Sequence, residues 1–272
     1  MKPEEILRKI EEDKKGMEFL PTGFERLDNL LDGGFLLKEL VVLGGFTGSG
    51  KSYFSAQILY NLATKGFKSL YFSLEISNET IASRIIGALA DIKSTRVRSG
   101  HFSKREYENL EEARARFIAY NQLLEFYDDI YKLEEIKKVI RRTKPDFIVV
   151  DFIQNIFHQA KDEYSRLSFV SLALQKLAKE TNSCILVLSQ LSNSAARQGM
   201  DTGMLEYKGS GNIATVCDLG FVMQRRELSK FELGLQKNRR GMSRVSFNYN
   251  FKRPGGWIYE AEEEAQEENR FN

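Results

Sequence analysis

Five short segments are apolar almost from end to end: ELVVLG (39–44), SLYFSL (69–74), LLEFY (123–127), FIVVDF (147–152) and CILVLSQ (184–190). Patterns with helical spacing separate them, over 51–65, 79–90, 103–120, 132–143 and 164–181. A strand that is apolar on both faces must be covered on both faces, and helices between such strands supply the cover. The rhythm therefore predicts an α/β fold with a mostly parallel central sheet and helices on both sides. It breaks after Asp218. LGFVMQ is followed by FELGLQK and SRVSFNYNF, with the turn residues NRRG between the last two, which predicts a C-terminal antiparallel hairpin.

The 272 residues suffice for one large domain around a single sheet. We expect that domain over residues 19–260, preceded by a helical linker over 1–18 and followed by an acidic tail over 261–272. In the linker Ile6, Leu7 and Ile10 form a stripe too narrow to fold alone, so it must dock on a core or a neighbouring subunit. The tail, with Glu262, Glu263, Glu264, Glu267 and Glu268, reads as a frayed helix or as disordered. The formal charge of +2 confines any nucleic-acid surface to a local patch. Cys184 and Cys217 lie in apolar runs, as reduced core cysteines do, and His101 and His158 belong to no ligand-like cluster. The opening MKPEEILRK carries acids where a secretory leader needs an apolar run, and no apolar stretch approaches a membrane span. A cytoplasmic protein without a membrane segment is expected.

Between the first core strand and its helix stands Gly45-Phe46-Thr47-Gly48-Ser49-Gly50-Lys51-Ser52, a match to GxxxxGK[ST] in the strand–helix setting that motif requires. Glycines at 45, 48 and 50 let the loop, with Thr47 and Ser49, wrap backbone N–H groups around a phosphate chain. The helix beginning near Lys51 directs its positive end to the same place. Lys51 is expected at the β- and γ-phosphates of ATP and Ser52 as a ligand of Mg²⁺. A plain glycine-rich turn is the alternative.

In an open parallel sheet the ligand lies beyond the C-terminal strand ends. Three more strands end there in polar residues. Asp151 suits the Mg²⁺ water shell or caps the next helix. Glu75 suits a general base for an attacking water or a surface cap. Gln190 suits a γ-phosphate hydrogen bond or is an ordinary strand end. Arg84, in the helix after Glu75, pairs across an interface or caps an acid. Trp257 is expected to pack the last hairpin.

PTGFERLD, GGFTGSGKS, YFSLEIS, IVVDFIQ, LVLSQL, KGSGNIATVCD and QKNRRG, in that order, resemble the C-terminal ATPase domain of DnaB-type replicative helicases, within the wider RecA and KaiC group. The likeness spans about residues 19–260. It implies a RecA-like P-loop fold and ATP-dependent translocation on single-stranded DNA in replication. It also implies a homo-oligomer, a hexameric ring, with ATP and Mg²⁺ at subunit interfaces. Lys51 and Ser52 then bind phosphate and metal, Asp151 holds the metal, Glu75 is the base and Gln190 senses the γ-phosphate. Lys237 and Arg239 at the hairpin tip reach the neighbouring subunit's nucleotide; a solvated basic tip is the alternative. Lys208, Gly209 and Gly211 fall in the loop that grips DNA without reading bases, or in a plain surface loop. Replication proteins are implied as partners. Two departures stand out: Phe46 in the phosphate loop, and Ala214-Thr215-Val216-Cys217 where the family carries an acidic stretch. A RecA- or RadA-like recombination ATPase and a KaiC-like regulatory ATPase remain as alternative readings.

Overall fold

The computed structural model describes residues 2–14, 19–191 and 211–261. Two short strands, β1 (Phe19–Leu20) and β2 (Phe35–Leu36), pair antiparallel around helix α2 (Glu25–Leu30). The main sheet follows: β3 (Leu40–Gly45), β4 (Ser69–Ser73), β5 (Leu124–Tyr127), β6 (Phe147–Asp151), β7 (Cys184–Gln190), β8 (Leu219–Arg225), β9 (Lys230–Asn238), β10 (Val245–Lys252) and β11 (Trp257–Glu260). Among the described residues its order is β11-β10-β9-β8-β3-β7-β6-β4-β5. The strands from β8 to β5 in that order are parallel, and β8 to β11 continue as antiparallel neighbours. The mostly parallel sheet and the C-terminal hairpin thus form as the apolar rhythm predicts.

The period of two along each strand divides the core into two layers. Val41, Leu43, Tyr71, Phe147, Val149 and Leu186 face one side, against Phe54, Leu59 and Leu62 of α3 (Lys51–Thr64) and Ile81 and Ile85 of α4 (Asn78–Ala90). Leu40, Val42, Leu70, Phe72, Ile148, Val150 and Val187 face the other. There they meet α7 (Leu133–Thr143), α8 (Glu163–Thr181) and α9 (Gly211–Val216). Both faces are covered, which is why the strands are apolar throughout.

Outside the two layers, α5 (Ser94–Ser99) and α6 (Lys104–Ile118) pack on the end of α4 through Ala90, Ile92, Leu110 and Ala113. The sequence pattern does not predict α5, a single short turn without apolar periodicity. The outward face of α6 is solvated, with Arg114 and Arg116 paired to Glu111 and Glu112 of the same helix. Trp257 packs edge-on against Tyr60, in agreement with a packing role. Helix α1 (Pro3–Lys14) leaves Ile6 and Leu7 exposed. Lys208 and Gly209 and the tail from residue 262 lie outside the described residues. No described helix is long and apolar enough to cross a membrane.

Candidate nucleotide site

β3 ends at Gly45, and the chain turns through Phe46–Gly50 into α3. The turn depends on glycine at two points. Gly50 has φ +104°, and a Cβ there would stand 2.5 Å from the Phe251 ring. At Gly45 a Cβ would stand 2.7 Å from the Met223 carbonyl oxygen on β8, so the loop lies flush against the neighbouring strand. Helix α3 begins at Lys51, which directs free N–H groups and the positive helix end into the loop. The Lys51 ammonium is buried and donates to the Gly45 and Phe46 carbonyls at 2.7 and 3.0 Å. Burial lowers its pKa, and the charges of Asp151 and Glu75 oppose that shift.

The loop forms one wall of a pocket of about 450 Å³ beyond the C-terminal ends of the parallel strands. Thr47, Gly48, Gly50, Lys51, Ser52, Glu75, Asp151 and Gln190 all line it. Four segments predicted separately therefore meet in one cavity: the phosphate loop and the ends of β4, β6 and β7. Asp151 is buried and accepts a hydrogen bond of 2.7 Å from the Tyr71 hydroxyl, which in turn lies 3.2 Å from Ser55 Oγ. Burial raises its pKa. Hydrogen bonds from Ser52 and Tyr71 and the charges of Lys51 and Arg84 pull the other way. Glu75, two residues past β4, is an exposed residue. Partial burial of its carboxyl and then the Asp151 charge raise its pKa, against Lys51 and Arg84.

A hydroxyl and a carboxylate side by side, Ser52 and Asp151, are oxygen donors suited to a hard divalent cation. No cluster of three or more His, Cys, Asp or Glu able to hold a metal exists among the described residues. A cation held by these two residues would need water and phosphate oxygens for the rest of its shell, which is how Mg²⁺ prefers to be held. The residues present fit that ion together with a triphosphate.

The remaining wall was not legible as a site. Tyr53, Arg225, Leu228, Phe251, Arg253 and Pro254 line it, five of them from the antiparallel extension that the sequence marks only as β structure. Arg225 donates to the Gly48 carbonyl at 3.2 Å and lies over the Phe251 ring at 5.8 Å. Arg84, undecided from sequence, lines the pocket with its guanidinium 4.8 Å from the Tyr53 ring centre. No short motif announces the contact of Arg225 with the phosphate loop, because it joins positions 177 residues apart in the chain.

Lys237 and Arg239 do not meet the others within the chain. β8 runs parallel to β3 with Met223 opposite Gly45, and β9 returns antiparallel, placing Lys237 opposite Gly220. Gly220 lies roughly 17 Å along the strand from Arg225 at the pocket. There the Lys237 ammonium caps the last turn of α9, donating to the Ala214 and Thr215 carbonyls at 2.8 and 2.7 Å. Arg239 pairs with Asp218 at 2.9 Å and donates to the Thr215 carbonyl. The next residue differs again: Arg240 turns inward to buried Glu39 and donates to the Leu31 and Gly34 carbonyls. Gly211 opens α9.

Comparison with known proteins shows the family of the chain. The profile of the DnaB-like helicase C terminal domain matches residues 19–253. A probable replicative DNA helicase of Trieres chinensis is 28% identical over 257 residues, covering 86% of this chain and 55% of that protein. The replicative DNA helicase DnaB of Treponema pallidum is 29% identical over 231 residues, 82% of this chain and 52% of that one. The chain thus spans about half the length of these curated relatives. The solved structure of a DnaB-like replicative helicase superimposes with a TM-score of 0.82 at 21% identity, over 96% of this chain and 67% of that one, which shows the shared fold. With a RecA-like sheet, nine-stranded among the described residues, a phosphate loop at its centre and a family match across most of its length, the chain belongs to the DnaB-like helicase C-terminal domain family.

Proposed function

We propose that this chain is the ATPase motor of a ring-shaped, cytoplasmic replicative helicase that hydrolyses Mg²⁺-ATP between subunits while moving on single-stranded DNA. One observation carries the reading. Lys51, Ser52, Glu75, Asp151 and Gln190 share one pocket, while Lys237 and Arg239 sit at the other end of the same sheet, out of reach of the pocket of their own chain.

Each role follows from the chemistry at hand. The loop amides and Lys51 bind the triphosphate and hold it in line. Ser52 and Asp151 hold Mg²⁺, which neutralises charge developing on the phosphate oxygens. Glu75 takes a proton from the attacking water, and its raised pKa brings it closer to the range in which a base works well at neutral pH. Gln190 hydrogen-bonds the γ-phosphate and registers its loss. Arg239 and Lys237 of a neighbouring subunit stabilise the transition-state charge, an effect worth about 10³–10⁵ in turnover for arginines of this kind. Lys208, Gly209 and Gly211 contact the DNA backbone. The linker of residues 1–18 docks through Ile6 and Leu7 of α1 on the adjacent subunit, and replication proteins complete the assembly.

The experiment compares ATP turnover of the purified chain with and without single-stranded DNA, and unwinding of a forked duplex. Stimulation by DNA and unwinding are expected, both abolished by Lys51→Ala. Arg239→Ala is expected to bind nucleotide without turning it over, and mixtures with Glu75→Ala to recover part of the activity. A monomer that hydrolyses ATP at full speed, or turnover indifferent to DNA, sinks the reading.

A further inference from the structure

The 3-10 turn Ile153–Asn155 leaves the end of β6, two residues after Asp151. In the sheet β6 lies between β4 and β7, the strands that lead to Glu75 and Gln190. From this one turn two adjacent amides reach outward in opposite directions. The Gln154 Nε2 donates to Ser189 Oγ at 3.0 Å and to the Gln190 carbonyl at 3.3 Å, while its Oε1 accepts from the Gln190 N–H at 3.4 Å. The Asn155 Nδ2 donates to the Leu74 carbonyl at 2.8 Å, one residue before Glu75. We propose that Gln154 and Asn155 are positioning residues that fix Gln190 and Glu75 relative to Asp151.

Neither side chain is among those lining the pocket, so neither touches the reacting atoms. The support under the turn is itself tied down. The Arg166 guanidinium on α8 donates to the Gln154 carbonyl at 3.0 Å and to the Ile156 carbonyl. On the β4 side the Leu74 N–H also donates to the Asp151 carbonyl at 2.8 Å, so Leu74 is held by both its backbone groups. Residue type matters here. The side-chain amide supplies both the donor and the acceptor that Gln154 uses together on Ser189 and Gln190. Asn155, one methylene shorter, reaches the Leu74 carbonyl just past the end of β4. On the side facing β6 the ladder of β4 ends at Ser73 and that of β7 at Val187, short of Glu75 and Gln190, and a shift of about 1 Å in such groups costs up to about a hundred-fold in rate.

This inference rests on the proposed ATP chemistry of the pocket, so its test has two separate readouts. Gln154→Met and Asn155→Leu keep side-chain size and remove the hydrogen bonds. Amide hydrogen exchange is measured across residues 74–76 and 189–191, and steady-state turnover and nucleotide affinity are measured in parallel. Asn155→Leu is expected to speed exchange at 74–76, and Gln154→Met at 189–191. Each lowers kcat about ten-fold or more, with nucleotide affinity within about two-fold of wild type. In a double-mutant cycle Gln190→Ala costs less in the Gln154→Met background than alone, because the two act as one unit. Ser189→Ala removes the Gln154 partner by one buried atom and reproduces the Gln154 effect should Gln154→Met not fold. Unchanged exchange in folded variants, or an unchanged kcat with a raised KM, overturns the inference. If wild type itself proves inactive on ATP, the proposed function fails, and exchange still decides whether the turn positions the two strand ends.

Discussion

Arg239 and Arg240 are neighbours in one basic turn, yet the structure assigns them opposite consequences. Arg240 Nε stands 3.0 Å from Glu39 Oε1 as an ion pair rather than a directed hydrogen bond, with 20% and 11% of the two side chains exposed. Its two terminal nitrogens donate at 3.1 Å, one to the Leu31 carbonyl and one to the Gly34 carbonyl, in the segment between α2 and β2. Removing one partner of a buried pair leaves the other charge uncompensated, at about 3–5 kcal/mol. Arg240 keeps a fifth of its exposure, so we take the lower end, about 3 kcal/mol, with the two carbonyls included. At about 2–4 °C per kcal/mol for a chain of this size, Arg240→Ala should lower Tm on the order of 10 °C. Arg239 pairs with Asp218 while 46% exposed, a contact worth at most about 1 kcal/mol. Arg239→Ala should therefore melt within about 4 °C of wild type while losing ATP turnover.

The Glu39 carboxyl supplies an internal control. Burial raises its pKa and the Arg240 charge opposes that shift. A carboxyl whose folded pKa is raised favours the fold when protonated, and that favour is lost as pH rises through the folded pKa. Taking Arg240 away deepens the penalty on the charged form. The stability deficit of Arg240→Ala should thus be full near pH ~7 and shrink as Glu39 protonates toward pH ~4. Glu39→Gln in the same background should recover part of the lost Tm. Thermal denaturation followed by circular dichroism over that range is the assay. Equal melting of Arg240→Ala and wild type, or a drop for Arg239→Ala as large as for Arg240→Ala, refutes the reasoning.

Asp151 is buried with a raised pKa, so its charge costs stability in the folded protein. Asp151→Asn, measured without Mg²⁺ or nucleotide, should gain about 1 kcal/mol, seen as a Tm rise of a few degrees, while turnover disappears. Gly50→Ala must displace the Phe251 ring and adopt φ +104°, and nucleotide affinity by equilibrium titration should fall about ten-fold or more. Phe251→Ala in that background should restore part of it. With Glu75 as the base, the acid limb of kcat/KM should lie above the ordinary value of 4.5, because burial and Asp151 raise it. Arg84→Gln removes an opposing charge and should move that limb to still higher pH.

The two halves of the site were legible to different degrees. The phosphate loop needs eight consecutive residues and one strand–helix turn, so its chemistry is written locally. Asp151 and Gln190 were nearly as open to reading, because a fully apolar strand ending in one polar residue places that residue at a known edge of a parallel sheet. Gln154 and Asn155 follow Asp151 within four residues, yet nothing marks them, since their value depends on which strands lie to either side. Phe251, Arg225 and Arg253 were hidden more deeply. An apolar residue in a strand announces burial, not a ring resting on Gly50 across the sheet.

Lys237 and Arg239 show why resemblance and residue chemistry had to work together. Composition makes KNRR a basic turn and nothing more. The fold adds a constraint: strand β9 joins the pocket end of the sheet, where Phe231 pairs with Arg225, to the far end, where Lys237 pairs with Gly220. A rigid ladder cannot fold its far end back to its own phosphate loop. Either the two cations do no more than cap α9 and hold Asp218, or a second chain presents its pocket to them. A capping lysine and an exposed arginine pair are each worth about 1 kcal/mol or less and would tolerate replacement. Loss of turnover in Arg239→Ala at unchanged stability is therefore the one outcome that capping cannot produce, and it separates the two accounts without knowledge of the ring.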